Sequence, residues 1–448
     1  MTPLSKSILL LISLTLFFRL EAQETKQISL QEARDYAVEH NINIKNAELD
    51  VEKSKKEVWE TTAIGLPQVN SSFRYNNNID LSTQLLPGEF FGQPGEFVEV
   101  QFGTQHNATF NVNANQIIFD GPYLVALKAS QTFLNISKHQ QAKTKIETKY
   151  SVTEAYYSVL VARQNINVLQ NSQKNVEQLL NDIQKTYQQG LAEETDVDQV
   201  QINLSEIENQ INTLQRQVDV GKSVLKFQMG MPMKNEITLS DSLPGILDQI
   251  NLHEVGAKNF NVSNHINYKI VDTKEKANML QMRREKSEYL PSLSAFYTHQ
   301  QNAMREEFNY FDGTDNKWFK SNVIGLKVDV PIFSSGSRLS KVQQAQIELE
   351  KTKNQKEQVA QSLKMNLQRS KTNYMSALEK YHTKKSNLEL SQKIYKRSLT
   401  RFKKGMISST ELTQNQNQML NTQSTFYQAI YELLKAKNEL DKTLNDFK

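Results

Sequence analysis

The side chains best suited to chemistry lie just after two glycines that interrupt long polar stretches of the sequence. Four acidic residues follow the first glycine, and three hydroxyl residues with one acid follow the second; these are Glu193, Glu194, Asp196 and Asp198, then Ser408, Ser409, Thr410 and Glu411. Polar and acidic side chains clustered in this way could belong to a gate. Hydroxyl and acidic side chains also cap the first turn of a helix. Taken alone, the two clusters favour capping over a gate.

The remainder of the sequence offers no catalytic or metal-binding pattern. It contains no cysteine, and its seven histidines lack the spacing of a metal site. Nucleotide-binding glycine patterns, GxSxG and HExxH do not occur. We therefore expect no enzyme activity, no metal and no cofactor. The net charge of +4 is small for 448 residues and no basic block stands out, so we expect no nucleic-acid partner.

The N-terminal segment has the pattern of a secretory signal peptide. Lys6 precedes an apolar run from Ile8 to Phe18, and at about 11 residues this run is shorter than a membrane-spanning helix. The stretch Leu20–Ala22 offers a site for signal peptidase. We interpret residues 1–22 as a signal peptide and expect an exported protein.

The two halves of the chain resemble each other at matching positions. A proline, a phenylalanine and a glycine recur in the same order and at similar spacings, which chance similarity between polar helices does not explain. The matched residues are Pro67 with Pro291, Phe119 with Phe333, and Gly190 with Gly405. We predict two structural repeats, over residues 23–229 and 251–448. Residues 230–250, which contain two prolines, are interpreted as a linker.

Each repeat shows period-two alternation after its proline, followed by very long helical patterns. Strands are predicted at 68–76, 109–119, 292–300 and 322–333. Strands of about ten residues can cross a membrane at a tilt. Helices are predicted at 123–187, 193–228, 338–402 and 408–446. A helix of about 65 residues extends ~100 Å, and the apolar stripe of these helices is narrow, as in coiled coils.

Four strands per chain are too few for a closed membrane sheet. Lipid does not tolerate open strand edges, because unpaired backbone groups would lie in hydrocarbon. Several copies must share one barrel, and three copies would supply twelve strands. The face with Asn111, Asn113 and Asn115 and the face with Lys327 and Asp329 suit water, while the other face suits lipid. Connections at 77–105 and 301–320 are interpreted as outer loops, with disordered insertions as the alternative.

In their order and spacing, these motifs resemble the TolC-like outer membrane efflux proteins over nearly the whole mature chain. The motifs are the strand starts at Pro67 and Pro291, the strand ends at 117–121 and 332–336, and the turns Gly190-Leu191 and Gly405-Met406. The resemblance implies a mainly α fold with membrane β. It implies a homotrimer whose 12-stranded β-barrel lies in outer-membrane lipid and continues as a long α-helical periplasmic tunnel.

The resemblance also implies a function and its partners. The protein would be a passive exit duct of a tripartite efflux or type I secretion system. A periplasmic adaptor and an inner-membrane pump of RND or ABC type would open it at its periplasmic tip. Drugs, metals and proteins stay open as cargo, although the scarcity of His-rich or Met-rich clusters argues mildly against dedicated metal export.

Roles for residues near the two turns follow from the same resemblance. The implied adaptor contacts are Gly190, Leu191, Gly405 and Met406. The implied periplasmic gate comprises Thr195, Asp196, Phe402, Ile407, Glu411 and Gln414. Phe402 stands where the family has a tyrosine and Ile407 where it has an arginine, so the family's polar lock cannot form here in the same way. We expect apolar packing of Phe402 and Ile407 together with a ring of Glu411 side chains that attracts cations.

A periplasmic adaptor or a structural coiled-coil protein is the main alternative. It would also be exported and rich in helical hairpins, but it would not need duplicated amphipathic strands. An adaptor should also carry a lipoyl-like or barrel-like domain between its helical arms, and the sequence shows none.

Overall fold

The computed structural model describes residues 26–249, 260–311 and 317–445. The predicted signal peptide at 1–22 lies outside the described residues. So do residues 250–259, where the predicted linker ends and the second repeat begins, and residues 446–448, where the last predicted helix ends. In chain order the elements are β1 (Lys26–Ile28), α1 (Leu30–His40), α2 (Ile42–Ile64), β2 (Gln68–Asn77), β3 (Ser82–Pro87), β4 (Phe97–Phe102), β5 (His106–Phe119), α3 (Gly121–Gln188), α4 (Glu194–Met229), β6 (Ile237–Leu239), α5 (Leu243–Gln249), α6 (Ile266–Ser287), β7 (Ser292–Arg305), β8 (Phe319–Asp329), α7 (Ser337–Phe402) and α8 (Ser409–Leu444), with short 3-10 turns at Gly88–Phe91 and Val262–Asn264.

Two compact units make up the fold. The first, here called the helical unit, comprises the described residues within Met1–Asp50, Lys138–Ile270 and Glu357–Lys448. The second, here called the sheet unit, comprises Val51–Ser137 and Val271–Lys356. Each unit therefore combines segments from both halves of the sequence.

The sheet unit contains a four-stranded antiparallel sheet in the order β2-β5-β7-β8. β5 and β7, one from each half, pair from His106 with Arg305 to Phe119 with Leu293, with one irregularity after Ile117. No described strand pairs with the outer edge of β2 or of β8. Each open edge offers roughly ten backbone positions to another chain.

The register gives this sheet one polar and one apolar face. Directly paired residues share a face, so Asn111, Asn113 and Asn115 of β5 lie on the same side as Lys327 and Asp329 of β8. The opposite face carries exposed apolar side chains, namely Val69, Phe73, Ile324, Leu326 and Val328. This is the division of faces that the alternation predicts.

Strand limits differ from the predicted ones at several places. β5 begins at His106 and β7 continues to Arg305, so the central pair is longer than predicted. β8 ends at Asp329 rather than at 333, because Pro331 has no N–H to give to the ladder. The first outer connection holds the hairpin of β3 and β4. The alternative of a disordered insertion therefore does not hold for this connection.

A buried polar network fixes the first strand of the helical unit. β1 pairs in parallel with β6, which lies in the segment between the repeats. The single proton of the Tyr156 hydroxyl is shared between two acceptors, the Ile28 carbonyl at 3.0 Å and Asp241 Oδ2 at 2.8 Å. Arg163 donates to the carbonyls of Leu239 and Asp241 at 2.7 and 3.2 Å. The segment between the repeats is therefore built into this unit.

The helices of the protein are long and mostly polar. α3 contains 68 residues and α7 contains 66, while α4 and α8 contain 36 each. In the helical unit their apolar positions form buried clusters, the first of which surrounds Tyr156 and Leu160. Of the helices in the described part of the chain, none combines the length and the apolar character needed to cross a membrane.

Candidate functional site at the two helical turns

Two turns of the helical unit share one backbone conformation. Gly190 follows α3 with a φ of 74°, and Gly405 follows α7 with a φ of 67°. The next residue in each turn, Leu191 or Met406, donates its N–H to a carbonyl five residues earlier, at 3.0 and 2.9 Å. This is the Schellman motif, in which a left-handed glycine ends a helix. Leu191 is 76% exposed and Met406 is 62% exposed, so each turn presents an apolar side chain to solvent.

The residues after the turns cap the helices that follow. The Asp196 carboxylate accepts a hydrogen bond from the Glu193 N–H at 3.2 Å, across the first turn of α4. Thr195 Oγ1 donates to Glu193 Oε2, also at 3.2 Å. At the start of α8 the Ser408 hydroxyl accepts from the Glu411 N–H at 3.2 Å. Of the two interpretations of these clusters, capping thus accounts for the contacts of Thr195 and Asp196.

An apolar cluster underlies the two turns. Phe402 and Ile407 are half-buried and pack against a core built from α3, α4 and α8. Leu204 and Leu412 are among its buried members. Phe402 and Ile407 therefore contact the same apolar cluster within a single chain, and their role in a gate stays a prediction.

Two basic residues that sequence reasoning missed lie beside acidic ones. Arg401 Nη1 is 4.0 Å from Glu411 Oε1, and Lys403 Nζ is 3.7 Å from Asp182 Oδ2. All four side chains are about half exposed, so each pair adds little stability. The first pair joins α7 to α8, and the second joins the turn after α7 to α3. No periodicity within one helix could have revealed them. An arginine thus stands at this turn although Ile407 occupies the position at which the resemblance implies one.

A polar cleft lies between α4 and α8. Its volume is about 540 Å³, and its walls consist of Thr, Gln and Asn side chains, Gln414 among them. Thr413, which also lines the cleft, accepts a 2.9 Å hydrogen bond from Nδ2 of the buried Asn203. This bond links one helix of each repeat directly beside Gln414.

The groups gathered at the turns suit contact and passage. They offer exposed apolar side chains, hydrogen-bonding amides and the carboxylates of the first turns of α4 and α8. Within the described ranges of the chain, no group of three or more His, Asp or Glu side chains is placed to hold a metal ion.

The comparison with known families identifies the kind of protein that carries these features. The model of the family described as "Outer membrane efflux protein" matches residues 33–230 and 274–446. The chain belongs to this family. Outer membrane efflux proteins are exit ducts of the outer membrane with a large helical tunnel in the periplasm, so the resemblance and the location that it implied are confirmed. The alternative of an adaptor or a structural coiled-coil protein is set aside.

Solved structures show the fold of this efflux protein. CusC, whose structures describe transmembrane channel formation, has 14% identity and a TM-score of 0.73 over 96% of this chain and 95% of that chain. The Campylobacter jejuni CmeC outer membrane channel has 15% identity and a TM-score of 0.71 over 96% and 91%. The Neisseria gonorrhoeae MtrE outer membrane channel, in its open state, has 13% identity and a TM-score of 0.71 over 93% and 88%. None of the curated proteins matches the chain.

These likenesses confirm the mainly helical fold with membrane strands. Within it, the predicted site residues of the efflux protein fall into separate sets. Phe402 and Ile407 share one apolar cluster, Thr195 and Asp196 interact within their own turn, and Gln414 lines the polar cleft.

Proposed function

We propose that this protein is the passive exit duct of a tripartite efflux or type I secretion system and works as a homotrimer. The observation that carries the proposal is the open-edged, two-faced sheet of the sheet unit. Its apolar face is exposed in the single chain, and neither β2 nor β8 has a described partner on its outer edge. Twelve strands from three chains would pair every edge and leave the apolar side chains against lipid.

The polar face of the sheet would line the outer part of the duct. Its central strand contributes Asn111, Asn113 and Asn115, and β8 contributes Lys327 and Asp329. Amide side chains both donate and accept hydrogen bonds, so they hold water without a strong charge preference. Such a lining suits the passage of chemically varied cargo.

The helical unit would form the periplasmic tunnel, with the two turns at its entrance. The exposed Leu191 and Met406 would contact the periplasmic adaptor. Apart from the glycine and its two neighbours in the chain, no described atom lies within 4 Å of the place where a Cβ of Gly190 or Gly405 would stand, so both turns are open to a partner. An inner-membrane pump of RND or ABC type would deliver the cargo, while the duct itself carries out no reaction.

The gate would lie just above these turns. Phe402 and Ile407 would close it through the apolar cluster that they share, and Glu411 would form an acidic ring in the trimer. Opening would have to separate α4 from α8, because both helices contribute buried side chains to this cluster. The Asn203–Thr413 hydrogen bond crosses the same interface.

A reversible cross-link between α4 and α8 tests this account. The chain has no cysteine, so the variant Asn203→Cys with Thr413→Cys carries a single oxidisable pair. We expect oxidation to reduce export of a fluorescent dye from cells by at least about tenfold, because the disulfide holds α4 against α8 and prevents the separation that opening requires. A reductant should restore export.

The control is a second pair placed in the sheet unit. The hydroxyls of Ser54 and Ser137 lie 2.8 Å apart and join α2 to α3. Cross-linked Ser54→Cys with Ser137→Cys should export the dye normally. Normal export by the oxidised Asn203–Thr413 pair would contradict gating by separation of α4 from α8.

A further inference from the structure

A polar cluster interrupts the apolar face of the membrane sheet near its outer-loop end. The register places His299 and Gln301 of β7, with Lys320 and Asn322 of β8, on the same side as Ile324. His299 Nδ1 lies 2.6 Å from Asn322 Oδ1, and Gln301 Nε2 lies 3.0 Å from His299 Nε2. Lys320 and Asn322 are exposed. These four residues, here called the outer cluster, are hydrogen-bonding groups on a face that otherwise suits lipid.

The height of the outer cluster matches a membrane boundary. Exposed apolar side chains follow β8 from Ile324 to Val328 and continue beyond the strand at Val330, Ile332 and Phe333. Toward the outer loop they end on this face at Ile324, and the next two residues of the same face, Asn322 and Lys320, are polar. Lys320 precedes Val330 by ten residues, which is about 33 Å of extended chain, or about 25 Å along the membrane normal at a tilt of about 40°. The apolar band of an outer-membrane barrel is about 25 Å tall. Lys320 therefore lies where hydrocarbon gives way to headgroups.

Aromatic residues mark the same level of the sheet. The Tyr75 ring packs edge-on against Phe308 and Tyr310, with centroids 5.5 and 5.9 Å apart. Tyr75 shares the apolar face, since it pairs with Ala108. Trp318 lies two residues before Lys320. Tyr and Trp are enriched at membrane–water interfaces because their rings are apolar and their tips polar.

We propose that the outer cluster binds the phosphate of an outer-leaflet lipid, with Lys320 as the charged contact. The site rests on the proposed function, because it requires this face of the sheet to meet lipid. The Lys320 ammonium and the amide N–H groups of Asn322 and Gln301 are donors to phosphate oxygens. His299 positions these two amides, because its ring nitrogens contact both of them. Basic residues at a membrane surface are attracted by anionic headgroups. Lys327 of the same strand lies on the opposite, polar face and takes no part in the site.

Trp318 is a built-in reporter for this site. The chain has two tryptophans, so Trp59→Phe leaves Trp318 as the fluorophore beside Lys320. The purified trimer in uncharged detergent is titrated with phosphatidic acid or diacylglycerol, each with brominated acyl chains that quench tryptophan. We expect half-maximal quenching at an about fivefold lower mole fraction of phosphatidic acid, as one headgroup contact of a lysine implies.

Variants distinguish binding at the outer cluster from a general attraction between basic residues and anionic lipid. Lys320→Gln and His299→Gln should lose the preference for phosphatidic acid, while Lys320→Arg, which keeps the charge, should retain it. Lys327→Gln is the matched control and should also retain it. Equal quenching by both lipids in the Trp59→Phe protein, or an equal loss in Lys327→Gln, would overturn the proposal.

Two further outcomes would overturn the lipid site. One is competition by free phosphate, and the other is the absence of quenching by either lipid. If millimolar inorganic phosphate removes the preference, the cluster binds free phosphate and the lipid assignment fails. If neither brominated lipid quenches Trp318, this face does not meet lipid, and the result counts against the membrane sheet of the proposed function as well.

Discussion

Asn203 of α4 donates a 2.9 Å hydrogen bond from Nδ2 to Thr413 Oγ1 of α8, and both side chains are buried. Thr413→Val removes the acceptor but keeps the shape, so the Asn203 amide is left buried with an unpaired donor. We expect the free energy of unfolding to fall by about 1–3 kcal/mol. Thermal unfolding followed by the loss of helical circular dichroism measures the change.

The neighbouring Thr410→Val provides the control for this prediction. Thr410 is exposed, so its replacement should change the unfolding free energy by less than about 0.5 kcal/mol. Replacing both partners, with Asn203→Leu and Thr413→Val, should recover much of the loss because no polar group is then stranded. Equal losses for Thr410→Val and Thr413→Val would show that the buried bond does not matter.

Two buried tyrosines should respond oppositely to the loss of their hydroxyls. Tyr374 is fully buried, and its hydroxyl has no hydrogen-bond partner among the described residues. Tyr374→Phe should therefore be neutral or stabilise the fold by up to about 1 kcal/mol, because a buried unpaired hydroxyl is unfavourable. Tyr156→Phe removes the bonds to Ile28 and Asp241 and should cost about 1–3 kcal/mol.

The difference between these tyrosine variants can be read from their midpoints in urea. If Tyr374→Phe lost as much stability as Tyr156→Phe, the Tyr374 hydroxyl would not be unpaired in the fold. The two rings are equally buried in the fold, so burial alone cannot account for the expected difference.

His265 should make the helical unit less stable in mild acid. Burial lowers its pKa, and its Nδ1 accepts from the Asn267 N–H at 3.2 Å at the start of α6. An unfolded histidine titrates at about pH 6.5, so below that pH the unfolded chain binds a proton that the folded chain does not. Stability is therefore full above about pH 6.5 and is lost as the pH falls below it.

A comparison of unfolding temperatures at about pH 7.5 and about pH 5 measures this loss. His265→Asn keeps a capping acceptor without a titrating ring and should reduce the difference between the two unfolding temperatures. His382→Gln replaces an exposed histidine of α7 and should leave it unchanged. If the protein were more stable at the lower pH, and His265→Asn showed the same change of unfolding temperature with pH, His265 would not be the cause.

The glycines of the two turns should tolerate asparagine better than alanine. Gly405 has a φ of 67°, a conformation that costs a residue with a Cβ about 1–2 kcal/mol. Asparagine adopts it more readily. We expect Gly405→Ala to lower the unfolding free energy by about 1 kcal/mol and Gly405→Asn by less. The same order should hold at Gly190, and a reversed order would rule out backbone strain as the cause.

Ion selectivity tests the role proposed for Glu411. If three Glu411 side chains ring the entrance, Glu411→Gln should lose cation preference in planar bilayers. Gln414→Glu adds a second carboxylate one helical turn further on and should raise the preference above that of the unchanged protein. Reversal potentials in a salt gradient give the measurement. Unchanged selectivity in both variants would remove Glu411 from the pore.

The elements that repeat in sequence were the predictable ones. Pro67 and Pro291 mark where helix gives way to strand, and the alternation that follows each proline reflects two unlike environments on the two faces of a strand. What this pattern does not contain is which strands pair. β5 of the first half pairs with β7 of the second half. This pairing depends on tertiary packing, and no local periodicity predicts it.

Short and long-range features escaped sequence reasoning for physical reasons. β1 and β6 have three residues each, which is too few for a period, and they pair across most of the first repeat. Arg401 and Glu411 meet across a turn between two helices. Capping at Asp196 was foreseen because its signal is local, whereas these contacts depend on packing.

The number of chains in the detergent-extracted particle tests the central claim most directly. Protein taken from the outer-membrane fraction is measured by mass in detergent, with gel mobility compared before and after heating. A shared barrel predicts three chains per particle and a heat-dependent shift in mobility, because every edge of β2 and β8 is then paired. A water-soluble particle of one chain would contradict the account.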